Sequence, residues 1–85
     1  MKLSEFIPQE VDLLKKEHNG SGFAEKTEGR LKDLLESEGD AELDAELVAI
    51  LLHHGKKIYD YSEISQKVYW TIFDACMEVG YERKN

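Results

Sequence analysis

Residues 40–55 read DAELDAELVAILLHHG and decide the predicted fold, because they hold the most apolar part of the chain. The stretch opens with acids, becomes apolar on every side, and stops at two histidines and a glycine. We predict a helix over 40–54 with Asp40 as its N-cap, since acids near a helix N-terminus interact favourably with the helix dipole. A helix that is apolar nearly all round is normally buried. We therefore expect residues 47–52 to be hidden at the centre of the domain.

Glycine-containing turns divide the whole chain into segments of helix length, and no alternating strand pattern is found. The predicted helices span residues 4–18, 22–38, 40–54 and 61–79. We expect one all-α domain over residues 1–85, arranged like a compact four-helix bundle. The third and fourth helices form its central pair, and the first two pack against them. Residues 55–60 are either a loop or a kinked continuation of the third helix.

The first two predicted helices have one apolar face each. These faces comprise Leu3, Ile7, Val11 and Leu14 on the first helix, and Ala24, Thr27, Leu31, Leu34 and Leu35 on the second. We expect Ser4 and Ser21 to cap these helices, and Pro8 to lie in a first turn, where a missing N–H costs little. Glu10 is predicted to point away from the apolar face. Gly29 is either a tolerated surface glycine or the place of a close helix crossing.

The last predicted helix has two apolar stripes on opposite sides. They consist of Tyr61, Ile64, Val68, Ile72, Ala75 and Val79, and of Trp70, Phe73, Met77 and Tyr81. Asp60 and Glu63 have the spacing of a capping box at its start. Either other helices pack on both stripes, or the second stripe binds another protein or a second copy of the chain. Tryptophan, tyrosine, phenylalanine and methionine are the residue types enriched at such interfaces.

The chain carries 18 acids against 11 bases, a formal charge of −7. This charge disfavours binding to nucleic acid or to an anionic membrane, which both require a basic surface. An acidic run without any base comprises Glu36, Glu38, Asp40, Glu42, Asp44 and Glu46. It is either the solvated start of a helix or an electrostatic surface for a basic partner, whose association it would accelerate. A further alternative is mimicry of nucleic acid, with carboxylates in the place of phosphates.

His53 and His54 stand at the end of the third predicted helix, where they and the following lysines meet the negative end of the helix dipole. The stretch also resembles the phosphoacceptor region of histidine-phosphotransfer domains, which are helical bundles with an exposed histidine followed three residues later by a lysine. His53 has Lys56 in that place, and His54 has Lys57. The family pattern has a hydrophobic residue and then Lys-Gly, whereas glycine precedes lysine here. The resemblance implies a phosphoacceptor at His53 or His54.

Little else in the sequence indicates chemistry. The single cysteine, Cys76, excludes an intramolecular disulfide, and we expect it to be a small buried hydrophobe. The chain shows neither a signal peptide nor a long apolar span, so a cytoplasmic location is expected. No catalytic triad, phosphate-binding loop or calcium-binding loop can be traced. We therefore expect no enzymatic activity, no cofactor and no metal.

These observations favour a small acidic protein that binds another protein stoichiometrically, as an inhibitor, immunity protein, antitoxin or phage-encoded modulator does. Carboxylates would steer a basic partner, and the second stripe of the last helix would anchor it. The predicted partner-binding residues are Glu36, Glu38, Glu42, Asp44, Trp70, Phe73, Met77 and Tyr81. The alternatives are the phosphotransfer domain and a structural homodimer subunit.

Overall fold

The computed structural model describes residues 1–48 and 57–80, and this part of the chain is all-helical, as predicted. Its helices are α1 (Leu3–Glu17), α2 (Phe23–Glu38) and α3 (Glu63–Glu78), with a short 3-10 helix at Ile58–Asp60. Three α-helices are thus seen in the described residues, and the predicted four-helix arrangement is not confirmed. Residues 49–54 of the predicted third helix lie outside the described residues.

Helix α1 buries its predicted apolar face. Leu3, Ile7, Val11 and Leu14 are all buried. Two details differ from the prediction: Ser4 lies inside the helix and does not cap it, and Pro8 is the sixth residue and thus lies in the second turn. Glu10 is completely buried, although its charge favours solvent. It follows Phe6 by four residues and therefore shares that buried side chain's face of the helix.

Helix α2 packs against both α1 and α3. Among the described helices the middle position therefore belongs to α2, which the sequence placed at the periphery. Its predicted stripe is confirmed, since Ala24, Thr27 and Leu31 are buried and the two leucines that follow are half-buried. Gly29 is exposed, and a methyl group added to it would meet no atom within 4 Å. The surface-glycine interpretation is correct, and the close helix crossing is wrong.

Both ends of α2 depend on residues that the sequence identified. The N-cap of α2 is Gly22, and Ser21, the predicted cap, lies one residue before it. The Ser21 hydroxyl nevertheless accepts a hydrogen bond from the Phe23 N–H (3.1 Å), the first of the helix, and donates one to the His18 carbonyl (2.8 Å). Gly39 ends α2 in the left-handed region at a φ of +82°, and its N–H donates to the Leu35 carbonyl at 2.9 Å. A side chain would be strained in this conformation, which is why glycine stands here.

Residues 40–46, named the connector below, are not helical. The first half of the predicted helix over 40–54 is therefore wrong, and helical structure starts only at Leu47. The connector's backbone runs antiparallel to the first residues of the chain: Leu3 N–H donates to the Ala41 carbonyl at 2.9 Å, and Leu43 N–H donates to the Met1 carbonyl at 2.7 Å. Leu43 and Leu47 still reach the core, where they are 4% and 2% exposed.

Asp40 is a cap, but for a different helix from the predicted one. Its Oδ1 accepts a hydrogen bond from the Ser4 N–H (2.9 Å), and its Oδ2 accepts one from the Ser4 hydroxyl (2.8 Å). The first N–H groups of a helix have no partner within the helix. Asp40 and the neighbouring Ala41 carbonyl bind two of these groups at the start of α1. This demand from α1 explains why an acid suited to a helix start does not begin its own helix.

Asp44 performs a similar role at the start of α3. The Ser62 N–H donates to Asp44 Oδ2 at 2.9 Å, and the Asp44 N–H donates to the Ser65 hydroxyl at 3.1 Å. Ser62 is the N-cap, and its hydroxyl accepts the Ser65 N–H. The predicted capping box of Asp60 and Glu63 is therefore wrong, because the short 3-10 helix occupies Asp60 and delays the start of α3.

Candidate protein-docking surface on the last helix

The two apolar stripes predicted for the last helix differ in their surroundings. On the first stripe, Val68, Ile72 and Ala75 are buried within 2% exposure. On the second stripe, Trp70 is 43% exposed and Met77 is 60% exposed. Two of the four large hydrophobic side chains that are exposed in the described residues therefore lie on one side of α3. Large apolar side chains that are exposed on the same side of a helix are a common mark of a binding surface.

Ring packing orders this side of the helix. Trp70 meets Phe73 edge-on, with ring centroids 5.4 Å apart and an interplanar angle of 79°. Tyr69 meets Trp70 in a similar T-shaped contact at 5.2 Å, and it stacks on Phe73 at 6.4 Å. Edge-to-face contacts of this geometry stabilise aromatic pairs beyond the area that they bury. Tyr69, Trp70, Phe73 and Met77 are called the α3 face below.

Three of the four residues predicted for this stripe, Trp70, Phe73 and Met77, are brought together on the α3 face. The fourth, Tyr81, lies outside the described residues. Tyr69, which is half-buried and stacks on Phe73, was not among the residues predicted from sequence. Its position four residues before Phe73 was the available signal, because side chains at that spacing are neighbours on a helix. Cys76 is buried as expected.

Most acids of the predicted steering run have partners inside the chain. Glu38 forms a salt bridge with Lys67 at 3.0 Å, and Glu42 binds the amino group of Met1. The Tyr61 hydroxyl donates a hydrogen bond to a carboxylate oxygen of Glu46 at 3.3 Å. Most acids of this run therefore bind groups within the chain, and they also carry negative charge.

Besides Glu42, whose pKa is lowered by the hydrogen bond from the Met1 amino group, two more connector carboxylates have lowered pKa values because the chain donates hydrogen bonds to them. The hydrogen bond from the Ser4 N–H is the largest cause that lowers the pKa of Asp40, and the hydrogen bond from the Ser4 hydroxyl is the second largest. The Ser62 N–H is the largest cause that lowers the pKa of Asp44, and the Ser65 hydroxyl adds to it. Both carboxylates are therefore held in the ionised form, which is the form that accepts these hydrogen bonds.

Glu36 stands apart from the rest of the acidic run. It is exposed on α2, and no partner for its carboxylate is found among residues 1–48 and 57–80. Of the acids predicted to steer a partner, it is the one whose charge is wholly available to solvent. Its substitution is therefore a useful reference for the acids that hold the fold.

The rim of the α3 face is acidic. Asp74 follows Trp70 by four residues and is exposed, and Glu63 is exposed one turn before Lys67 on the same side. Lys67 is already paired with Glu38, whose hydrogen bond and charge raise the pKa of the lysine. Neither Asp74 nor Glu63 has an ion-pair partner in the described part of the chain. A partner meeting this face encounters apolar side chains bordered by negative charge.

The remaining observations concern the alternative phosphoacceptor, a metal site and a membrane span. His53 and His54, the alternative phosphoacceptors, lie outside the described residues. Within residues 1–48 and 57–80, no three histidine, cysteine or acidic side chains are placed to hold a metal ion. The described helices include none with the length and apolar character required to cross a bilayer. No protein-family model, curated protein or solved structure matches the chain.

Proposed function

We propose that the protein is a stoichiometric protein-binding module whose docking surface is the α3 face. The observation that carries the proposal is the exposure of Trp70 and Met77 beside Phe73 on a helix whose opposite side packs into the core. The core of α3 does not need these side chains, because Val68 and Ile72 already supply its buried side. Their apolar surface is thus available to a partner.

The α3 face has the composition of an interface centre. Tryptophan and tyrosine are enriched among residues that dominate binding energy, and methionine adapts its shape to different partners. Burying the exposed parts of Trp70 and Met77 would contribute about 1–2 kcal/mol each, at about 25 cal/mol per Å² of apolar area. The ring contacts hold Trp70 and Phe73 in place before binding, so little side-chain entropy is lost.

The negative charge of the protein favours a basic partner, but not every acid of the run from Glu36 to Glu46 is free to attract it. Several of those acids are occupied by contacts within the chain, whereas Asp74 and Glu63 are exposed acids of α3 that form no ion pair in the described residues. A net charge of −7 would still attract a basic protein over a distance of about 10 Å at moderate ionic strength. Steering is thus proposed for the whole surface and anchoring for the α3 face.

Site-specific photo-crosslinking tests this proposal. One variant carries a photoreactive amino acid in place of Met77, and a matched variant carries it in place of Asp12, an exposed residue of α1. The expected result is a heterologous adduct from Met77 at one partner per chain and none from Asp12. The double variant Trp70→Ser/Met77→Ser should fail to compete for that partner while its circular dichroism stays helical.

The same experiment separates the alternatives. Adducts of the chain with itself, with a doubled mass in sedimentation, would favour the structural homodimer over binding to another protein. Equal adducts from both positions, or competition undiminished in the Trp70→Ser/Met77→Ser variant, would overturn the assignment of the α3 face.

A further inference from the structure

An open groove of about 610 Å³ lies between α2 and α3, next to the α3 face. It is lined by Arg30, Asp33, Leu34, Ser37, Thr71 and Asp74. The four residues from α2 follow the spacing of one helix face, and Leu34 gives the groove an apolar element. The groove is therefore a continuous surface feature formed where two packed helices meet.

Two salt bridges connect the helices that form the groove. Arg30, in the middle of α2, binds Glu78 at the end of α3, and Glu38, at the end of α2, binds Lys67 near the start of α3. These pairings show that α2 and α3 run antiparallel. They also neutralise both bases, Arg30 and Lys67, that stand beside the groove.

The hydroxyl groups of the groove donate their hydrogens within their own helices. Ser37 donates to the Leu34 carbonyl at 3.2 Å, and Thr71 donates to the Lys67 carbonyl at 2.7 Å. Asp33 and Asp74 are both exposed, and neither forms an ion pair within residues 1–48 and 57–80. The groove thus offers two carboxylates that can only accept hydrogen bonds, with no uncompensated base beside them.

Asp74 joins the groove to the α3 face. It stands four residues after Trp70 and one after Phe73, so it lies on the strip of α3 between Trp70 and Thr71. A partner segment that covers Trp70 therefore also passes over Asp74 and reaches the groove beyond it. An apolar side chain and a negative charge therefore lie next to each other on α3.

We propose that the partner segment is a cationic amphipathic helix, which places an arginine in this groove against Asp33 and Asp74. The inference rests on the proposed docking function of the α3 face. Arginine fits because its guanidinium carries five N–H donors and no acceptor, and because its planar fork binds carboxylates in pairs. The apolar side of the same segment covers Trp70 and Met77, as amphipathic helices do in other helix-lined grooves.

A displayed library of short helical peptides without tryptophan provides the probe. Peptides are selected on the full chain and counter-selected on the Trp70→Ser/Met77→Ser variant, and their affinity is then measured by fluorescence. Trp70 is the single tryptophan of the protein, so a blue shift of its emission reports directly on contact with the α3 face. We expect the selected peptides to be enriched in arginine and lysine beside apolar residues.

Removal of the two groove charges measures their part in binding. The double variant Asp33→Asn/Asp74→Asn should bind the selected peptides about tenfold more weakly and with a flatter salt dependence. The control Asp12→Asn/Glu17→Gln removes the same charge from exposed positions of α1 and should retain the wild-type affinity within about twofold. Circular dichroism of both variants verifies that they remain folded.

The failures of the two proposals are distinguishable. Selected peptides without basic residues, or basic peptides that bind the Asp33→Asn/Asp74→Asn variant as well as the wild type, would overturn the cationic partner and leave the docking face intact. A selection that recovers no peptide able to distinguish the wild type from Trp70→Ser/Met77→Ser would overturn the docking face and the cationic partner together.

Discussion

The connector and the α3 face reverse the usual roles of charged and apolar residues. The connector carries Asp40 and Asp44, yet their carboxylates hold the starts of α1 and α3 through hydrogen bonds of 2.8–2.9 Å. The α3 face carries Trp70 and Met77, yet it leaves about half of each side chain in water. The polar residues of the connector thus stabilise the fold, while the apolar residues of the α3 face remain at the surface.

The availability of a side chain for binding therefore depends on what it already contacts within the chain. A carboxylate bound to a helix N-terminus stays charged but has spent part of its hydrogen-bonding capacity. The exposed indole of Trp70 lies outside the core, and its ring contacts are with neighbours on the same helix, so its removal should cost little stability. The first kind of residue should matter for stability, and the second for binding.

The largest expected difference lies within α3 itself. Ile72→Ala removes a side chain that is 2% exposed and should lower the free energy of unfolding by about 3 kcal/mol, because it opens a cavity. Met77→Ala, on the α3 face, should change it by less than about 0.5 kcal/mol. Urea denaturation monitored by circular dichroism measures both. Equal losses would show that the α3 face is part of the core.

The connector is tested at Ser65, which is completely buried and accepts the Asp44 N–H. Ser65→Ala leaves that N–H without its acceptor and should destabilise the protein by about 2 kcal/mol. Glu36→Gln, at the acid without an internal partner, is the control and should be neutral within about 0.5 kcal/mol. If both substitutions are neutral in chemical denaturation, the connector does not hold the fold.

A third substitution sharpens the contrast between polar groups with and without partners. The Thr27 hydroxyl is completely buried in α2, and it has no hydrogen-bond partner among the described residues. Thr27→Val keeps the side-chain shape and should raise the free energy of unfolding by about 1 kcal/mol, since the desolvated hydroxyl is removed. Thr27→Ser retains the hydroxyl and should destabilise. A loss of stability in the valine variant would reveal a hydrogen bond to this group.

The smallest effect concerns acid. The folded-state pKa values of Asp40 and Asp44 are lowered, so the stability that these groups contribute is present above about pH 4 and is lost as the pH falls through their folded-state values. The wild type should therefore lose more stability on acidification than Asp40→Asn/Asp44→Asn does. Asp12→Asn/Glu17→Gln is the charge-matched control. Parallel pH profiles of all three proteins would contradict this role of the connector.

The helical fold was largely accessible from sequence because it depends on local signals. Apolar spacing located the buried faces of α1 and α2, and Gly39 correctly marked the end of α2. The connector was not accessible, because Asp40 is equally suited to its own helix start and to that of α1. Only tertiary contact decides between the two. Glu10 was misplaced for a similar reason, since its charge and its helical position indicate opposite environments.

The candidate site was accessible only in part. The spacing of Trp70, Phe73 and Met77 identified the stripe but left open whether another helix covers it. The groove beside it depends on Arg30 and Glu78, which are 48 positions apart and carry no pattern that links them. Contacts of this kind require the path of the chain in three dimensions.

The exposure of the α3 face can be measured most directly through the fluorescence of Trp70, the single tryptophan of the chain. We expect a red-shifted emission that acrylamide quenches efficiently and that stays unchanged as the protein is diluted. A blue-shifted emission that resists acrylamide at every protein concentration would contradict this expectation, because Trp70 would then be covered within the folded chain.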